Sequence, residues 1–173
     1  LKKSNERVIL NSTFFAQAPK IIWRQTASSI IAMIDEKGIW FGRSIIGAIV
    51  SEEYQKRVDI YYALAIFNSK YIDYLYHLKV SEVGKVFPQV KLKYLRDLPF
   101  KLATKSQQEK IAELAKKILI LNKEIREKTE NSDQWQKLKD EIAKTDQKID
   151  EEVYKLYGLT EEEIAVVEGK EKE

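Results

Sequence analysis

The sequence predicts an α+β protein: a small mixed or antiparallel sheet with helices, followed by a C-terminal antiparallel helical hairpin. Three observations carry this. Short apolar runs of strand length, separated by turn residues, occupy residues 20–50. Apolar residues recur at helical spacing from Ile60 onward. Beyond residue 100, long amphipathic stretches follow one another, each opened by a start signal.

The elements follow in order. Lys20-Ile21-Ile22-Trp23-Arg24, after Pro19, reads as a strand. Ser29 to Ile34 is a second apolar run, and Asp35-Glu36-Lys37-Gly38 a turn with glycine where a left-handed residue is wanted. Ile39-Trp40-Phe41 is expected to continue as the hairpin partner of that run, and Ile45 to Val50 is a further strand. From Ile60 to Leu78 the residues Leu64, Phe67, Tyr71, Tyr74, Leu75 and Leu78 fall at helical spacing. Asn68-Ser69 marks a break or a new N-cap within them. Residues 79–95 are basic and irregular, with Gly84 and Pro88 shaping a loop, and Leu98-Pro99-Phe100 is an extended exit, since a residue before proline avoids helix.

Ser106-Gln107-Gln108-Glu109 has the spacing of a capping box. The helix behind it places Ile111, Leu114, Ile118, Leu121 and Ile125 on a heptad seam. Asn131-Ser132-Asp133 caps a second helix whose apolar positions are Trp135, Leu138, Ile142, Ile149, Val153 and Leu156, with Thr145 and Asp146 weakening the middle. A short polar loop between the two makes an antiparallel hairpin. Gly158 stops the second helix, and Thr160 with Glu163 opens a short closing helix. The expected division is residues 1–100 as one domain and residues 101–173 as the hairpin with its closing helix.

Charge follows the same division. Residues 1–100 carry fifteen Lys or Arg against nine Asp or Glu, and residues 101–173 carry fifteen against eighteen. Fifteen of the eighteen aromatic residues precede residue 101. A basic, aromatic-rich part suited to a polyanion is thus followed by an acidic helical part suited to scaffolding. With no cysteine, disulfides and thiolate metal sites are excluded, and the single histidine, His77, excludes every two-histidine mechanism. No apolar run of membrane length and no signal peptide occurs, which favours the cytoplasm.

No catalytic motif stands out. The glycines, Gly38, Gly42, Gly47, Gly84, Gly158 and Gly169, form no G-x-G turn, and Asn-Pro-Pro-Tyr and a P-loop are absent. Asp35-Glu36-Lys37 matches the Asp/Glu-x-Lys half of a nuclease signature but has no acidic partner after an upstream proline, so it reads as a charged turn. The tyrosines Tyr61, Tyr62, Tyr71, Tyr74 and Tyr76 read as core rather than as a base-stacking platform. What remains is binding chemistry. Phosphates call for Lys and Arg, and base edges call for Arg, Lys, Gln, Asn or Ser. Arg24 and Gln25 follow one strand, Arg43 follows another, and the 79–96 loop offers Lys85, Gln89, Lys91 and Lys93. These seven are the candidate DNA-binding residues. No catalytic residue and no metal ligand is expected.

The order Pro19-Lys20-Ile21-Ile22-Trp23-Arg24-Gln25, Phe67-Asn68-Ser69-Lys70, Gly84-x-x-Phe87, Leu98-Pro99-Phe100 and Tyr157-Gly158-Leu159-Thr160 resembles the TaqI-like C-terminal specificity domain. That is the target recognition part of adenine-specific DNA methyltransferases and fused type II restriction-modification enzymes. It is similar to half of a type I restriction specificity subunit. The resemblance implies a prokaryotic domain that grips double-stranded DNA. An S-adenosylmethionine-dependent catalytic domain, expected upstream of Leu1, would methylate a flipped adenine. The chain is then a monomeric, non-catalytic piece of such an enzyme, in some cases one that also cleaves DNA. Two alternatives stay open: a half-length type I subunit dimerising through its helices, and a coiled-coil adaptor that binds no nucleic acid.

Overall fold

The computed structural model describes residues 16–80 and 88–170. Among these lie strands β1 (Lys20–Arg24), β2 (Ala32–Asp35) and β3 (Ile45–Ala48). The helices among them are α1 (Ile60–Asn68), α2 (Lys70–Lys79), α3 (Leu92–Leu95), α4 (Lys105–Ile125), α5 (Asp133–Tyr157) and α6 (Glu161–Val167). The class is α+β, as expected. The sheet is antiparallel throughout, in the order β2-β1-β3.

The link between β2 and β3 differs from the expected hairpin. β2 ends opposite Lys20 and β3 begins opposite Arg24, so residues 36–44 travel back along the length of β1. Ile39-Trp40-Phe41 therefore belongs to a strap and pairs with no strand among the described residues. Asp35 is the physical reason. Its buried carboxylate pairs with Lys20 and accepts the Lys37 and Ile39 amides at 2.9 and 2.7 Å. Those bonds curl the chain out of the sheet where a hairpin would reverse within it. Gly38 takes the left-handed conformation expected of it, φ 71°. Phe41 then stands over the Lys20 ammonium, which places the strap on the sheet face opposite the core residues Ile21 and Trp23.

The core face of the sheet packs on α1, and α1 packs in turn on α4. Being covered on both sides, α1 buries five consecutive residues, Tyr62 to Ile66, and has little amphipathic character. One apolar cluster runs from Ile21 and Trp23 through Leu64 and Ile66 to Ile111, Ala115, Val153 and Leu156. The break at Asn68-Ser69 does two jobs. Ser69 ends α1, its hydroxyl donating to the Ile66 carbonyl, and caps α2 by accepting the Ile72 amide. The Asn68 amide closes the outer edge of β2, accepting from Ala32 N at 2.8 Å and donating to Ala32 O at 3.0 Å.

The helix after the exit segment starts two residues before its expected cap. Thr104 is the N-cap, with Gln107 closing the box, and Ser106 lies inside the first turn. Gln108 follows the box on the inner side of the helix. It is buried, accepts the Asp59 amide at 2.9 Å, and donates to the carbonyls of Arg57 and Ala103 at 2.8 and 3.0 Å. α4 and α5 form the expected antiparallel hairpin, Ser132 caps α5, and Gly158 ends it at φ 76°. Thr145 fills a buried seam position by giving its hydroxyl hydrogen to the Glu141 carbonyl. Thr160 and Glu163 open α6 as predicted. Tyr157 ties this end to the exit segment, its hydroxyl donating to the Pro99 carbonyl at 2.8 Å and accepting the Lys101 amide at 3.1 Å.

Candidate nucleic-acid interface

The candidate interface grows from the far end of the central strand. β1 finishes at Arg24, opposite Ile45, and its chain bends at Gln25 and runs on through Ala27. Two other segments lie against this extension. On one side Gln25 N donates to Ser44 O at 2.8 Å, and residues 42–45 form a tight turn closed by Ile45 N to Gly42 O at 3.2 Å. Arg43 and Ser44 are the central residues of that turn. On the other side Ala27 N donates to Pro88 O at 3.1 Å and Val90 N to Gln25 O at 2.7 Å, with a bridge between Thr26 and Gln89.

The alternation of an extended chain sorts the side chains of the third segment. Val90 is fully buried, so Gln89 and Lys91 point the other way. Lys91 precedes α3, on which Lys93 holds its ammonium 4.4 Å from the centre of the Tyr94 ring. On β1, Arg24 lies on the strap side of the sheet, opposite the core face of Ile21 and Trp23.

Six of the seven candidate residues thus gather at one end of the sheet: Arg24 and Gln25, Arg43, and Gln89, Lys91 and Lys93. Lys85 lies outside the described residues. Arg24, Arg43, Gln89 and Lys93 are exposed, and Gln25 and Lys91 are half-buried. Arg24 and Arg43 form no ion pair among the described residues. The helical hairpin is different. There Lys110 pairs with Glu152 at 2.8 Å, Lys117 with Glu141 at 2.7 Å and Lys155 with Glu152 at 3.0 Å. These three hairpin lysines neutralise the protein's own carboxylates, whereas the two arginines at the sheet end keep their charge available.

Sequence reasoning missed what holds these segments in place. Tyr76 read only as core, and it is buried, but its hydroxyl also donates to Gln89 O at 3.0 Å and accepts Lys91 N at 2.8 Å. Asp73, one turn earlier on α2, accepts the Ile30 amide at 2.9 Å. No local pattern announces a side chain that grips backbone far along the chain. The other chemical candidates have structural duties. Burial works against a charge on Asp35, yet Lys20 and the two amides outweigh it and hold the carboxyl below its ordinary range. His77 rests against Tyr76 and pairs with Asp73 at 3.4 Å. Among the described residues no three His, Asp or Glu side chains stand close enough to hold a metal ion, and no helix is long and apolar enough to cross a membrane.

The family model of the TaqI-like C-terminal specificity domain matches residues 2–100, more than half of the chain. The chain belongs to that family, whose specificity domains serve DNA recognition in restriction-modification enzymes. No curated protein matches it.

Proposed function

We propose that this family member reads double-stranded DNA with the end of its sheet, on behalf of an adenine-specific methyltransferase or a fused restriction-modification enzyme. One observation carries the reading. Three segments distant in sequence are hydrogen-bonded side by side, and together they offer Arg24, Gln25, Arg43, Gln89, Lys91 and Lys93 at one place. The chemistry of these residues divides the work. Arg24 and Arg43 suit guanine edges or phosphates, Gln25 and Gln89 suit adenine edges, and Lys91 and Lys93 suit phosphates. Lys85 joins them on its residue type and its nearness in sequence to Gln89 and Lys91. A catalytic domain elsewhere in the full-length enzyme would hold S-adenosylmethionine and methylate the flipped adenine. The domain itself acts in the cytoplasm as a monomer, a reading supported by the packing of α4 and α5 on each other.

Fluorescence anisotropy with a labelled duplex over a range of salt tests this. Wild-type affinity should fall log-linearly with salt. The combined variant Arg24→Ala, Arg43→Ala, Lys91→Ala and Lys93→Ala should flatten the line by about 0.9 in slope for each phosphate it no longer neutralises. An unchanged slope removes the proposed surface. A wild type with no salt dependence revives the adaptor reading, and a dimer in gel filtration the half-subunit reading.

A further inference from the structure

We infer that Tyr76 is a positioning residue of the DNA-reading surface: its hydroxyl, set between the Gln89 carbonyl and the Lys91 amide, fixes the register in which Gln89 and Lys91 face outward. The inference rests on the DNA-reading role proposed above.

The geometry is that of a strand held on both edges. Along residues 88–91 the backbone groups alternate. Pro88 O and Val90 N point to the β1 extension and are bonded there, at 3.1 and 2.7 Å. Gln89 O and Lys91 N point the opposite way, and both end on the Tyr76 hydroxyl, at 3.0 and 2.8 Å. A hydroxyl suits this place because it can donate one bond and accept another. It occupies the position a neighbouring strand would take.

Register matters here because a slip by one residue turns every side chain to the other face. Val90 would leave the core, and Gln89 would enter it. The ladder to β1 amounts to one bridge and two backbone bonds, too short to fix register firmly alone. Tyr76 is well placed to supply the rest, because α2 is itself anchored at three points. Ser69 caps it, Asp150 accepts its Lys70 amide at 2.9 Å, and Asp73 grips Ile30 N. The tyrosine thereby transmits the position of the α2 frame to two of the candidate reading side chains.

Tyr76→Phe keeps the buried ring and removes both bonds. Duplexes selected by the wild type from a randomised pool, and scrambled duplexes of the same composition, serve as probes in anisotropy titrations. The expected result is a loss of discrimination between selected and scrambled duplexes of about tenfold, the scale of one well-set base contact. Affinity for scrambled DNA and the salt slope should not change, because every cation remains. A purely structural role would instead weaken both duplexes alike, and that result, or unchanged discrimination, overturns the inference. Hydrogen exchange on the wild type needs no folded variant. Val90 and Lys91 amides that gain protection with selected but not with scrambled duplex support the inference. Amides that exchange at the rate of free peptide in both overturn it. If the wild type itself shows neither preference nor salt slope, the DNA-reading proposal falls; discrimination that survives Tyr76→Phe defeats only the role of the tyrosine.

Discussion

Asp150 costs the protein stability at neutral pH, and replacing it with asparagine should raise stability. The carboxylate is buried on α5 where α5 meets the start of α2. It accepts the Lys70 amide at 2.9 Å, an orphan donor of the first turn of α2, and stands 3.6 Å from the Lys70 ammonium. Burial is the largest influence and pushes the carboxyl up to about 6; the neighbouring Asp146 adds to this, and the amide and charge of Lys70 oppose it. The folded state therefore binds this proton more tightly than the unfolded chain does. Stability from this group is full below about pH 4 and is lost as pH rises through 6. A shift of this size corresponds to about 3 kcal/mol at most. Asparagine keeps an acceptor for the Lys70 amide and gives up an ion pair whose lysine is half exposed, worth about 0–1 kcal/mol. The net gain for Asp150→Asn above pH 7 is then about 2–3 kcal/mol at most, or roughly 4–12 °C in Tm. Thermal unfolding followed by circular dichroism at pH 4.5, 6 and 8 measures it. The gap between variant and wild type should be smallest at pH 4.5, about a third of its full size, and widen upward. A variant less stable than wild type at pH 8 would refute the reasoning, since the ion pair would then outweigh the burial of its charge.

Four other outcomes follow from particular contacts. Thr104→Ala should lower stability by about 1 kcal/mol while Ser106→Ala changes it by less than about 0.5, a contrast that denaturant titration resolves and that the expected cap would reverse. Asn68→Ala strips both bonds from Ala32, which should cost about 1–3 kcal/mol. It also opens the edge of β2, so sedimentation should show concentration-dependent association. A chain ending at residue 100 loses α4, which covers α1, and α5, which meets α2, and should show no cooperative thermal transition; a sharp melt would mean that the sheet and α1 suffice alone. Gln25→Ala and Gln89→Ala should each leave stability within about 0.5 kcal/mol of wild type while changing which duplexes are selected from a random pool.

These outcomes divide along the line between what was and was not legible in the sequence. The strands at Lys20, Ala32 and Ile45, the Ser69 and Ser132 caps, the Gly158 stop and the Thr160–Glu163 box were readable because each depends on residues a few positions apart. The failures were at distance. The capping box expected at Ser106–Glu109 lies at Thr104–Gln107, and the Gln108 behind it reaches Asp59 and Arg57, far away in sequence. The Asp35 turn was legible, but its buried Lys20 partner, which sends the chain into a strap, was not. The candidate surface shows the same split. Residue types at strand ends pointed to Arg24, Gln25 and Arg43, yet nothing local to either said that Gln25 and Val90 would share a hydrogen bond.

That split has a physical logic for a protein that reads DNA. Base readout needs side chains set accurately against groove edges, and accuracy comes from backbone that cannot shift. Here Tyr76 fixes residues 89–91 from behind, while Asn68 on Ala32 and Asp73 on Ile30 hold the edge strand β2 and the run that leads into it. These three belong to adjoining helices, Asn68 at the end of α1 and the other two on α2, and they act through polar side chains on main-chain atoms, whatever side chains the gripped residues carry. The exposed reading positions contribute little to the core, so their identity is free to serve the ligand. A frame that holds main chain, with side chains that face out, separates stability from specificity. Substitutions at Gln25 and Gln89 are then expected to redirect recognition, whereas a change at Tyr76 is expected to blur it.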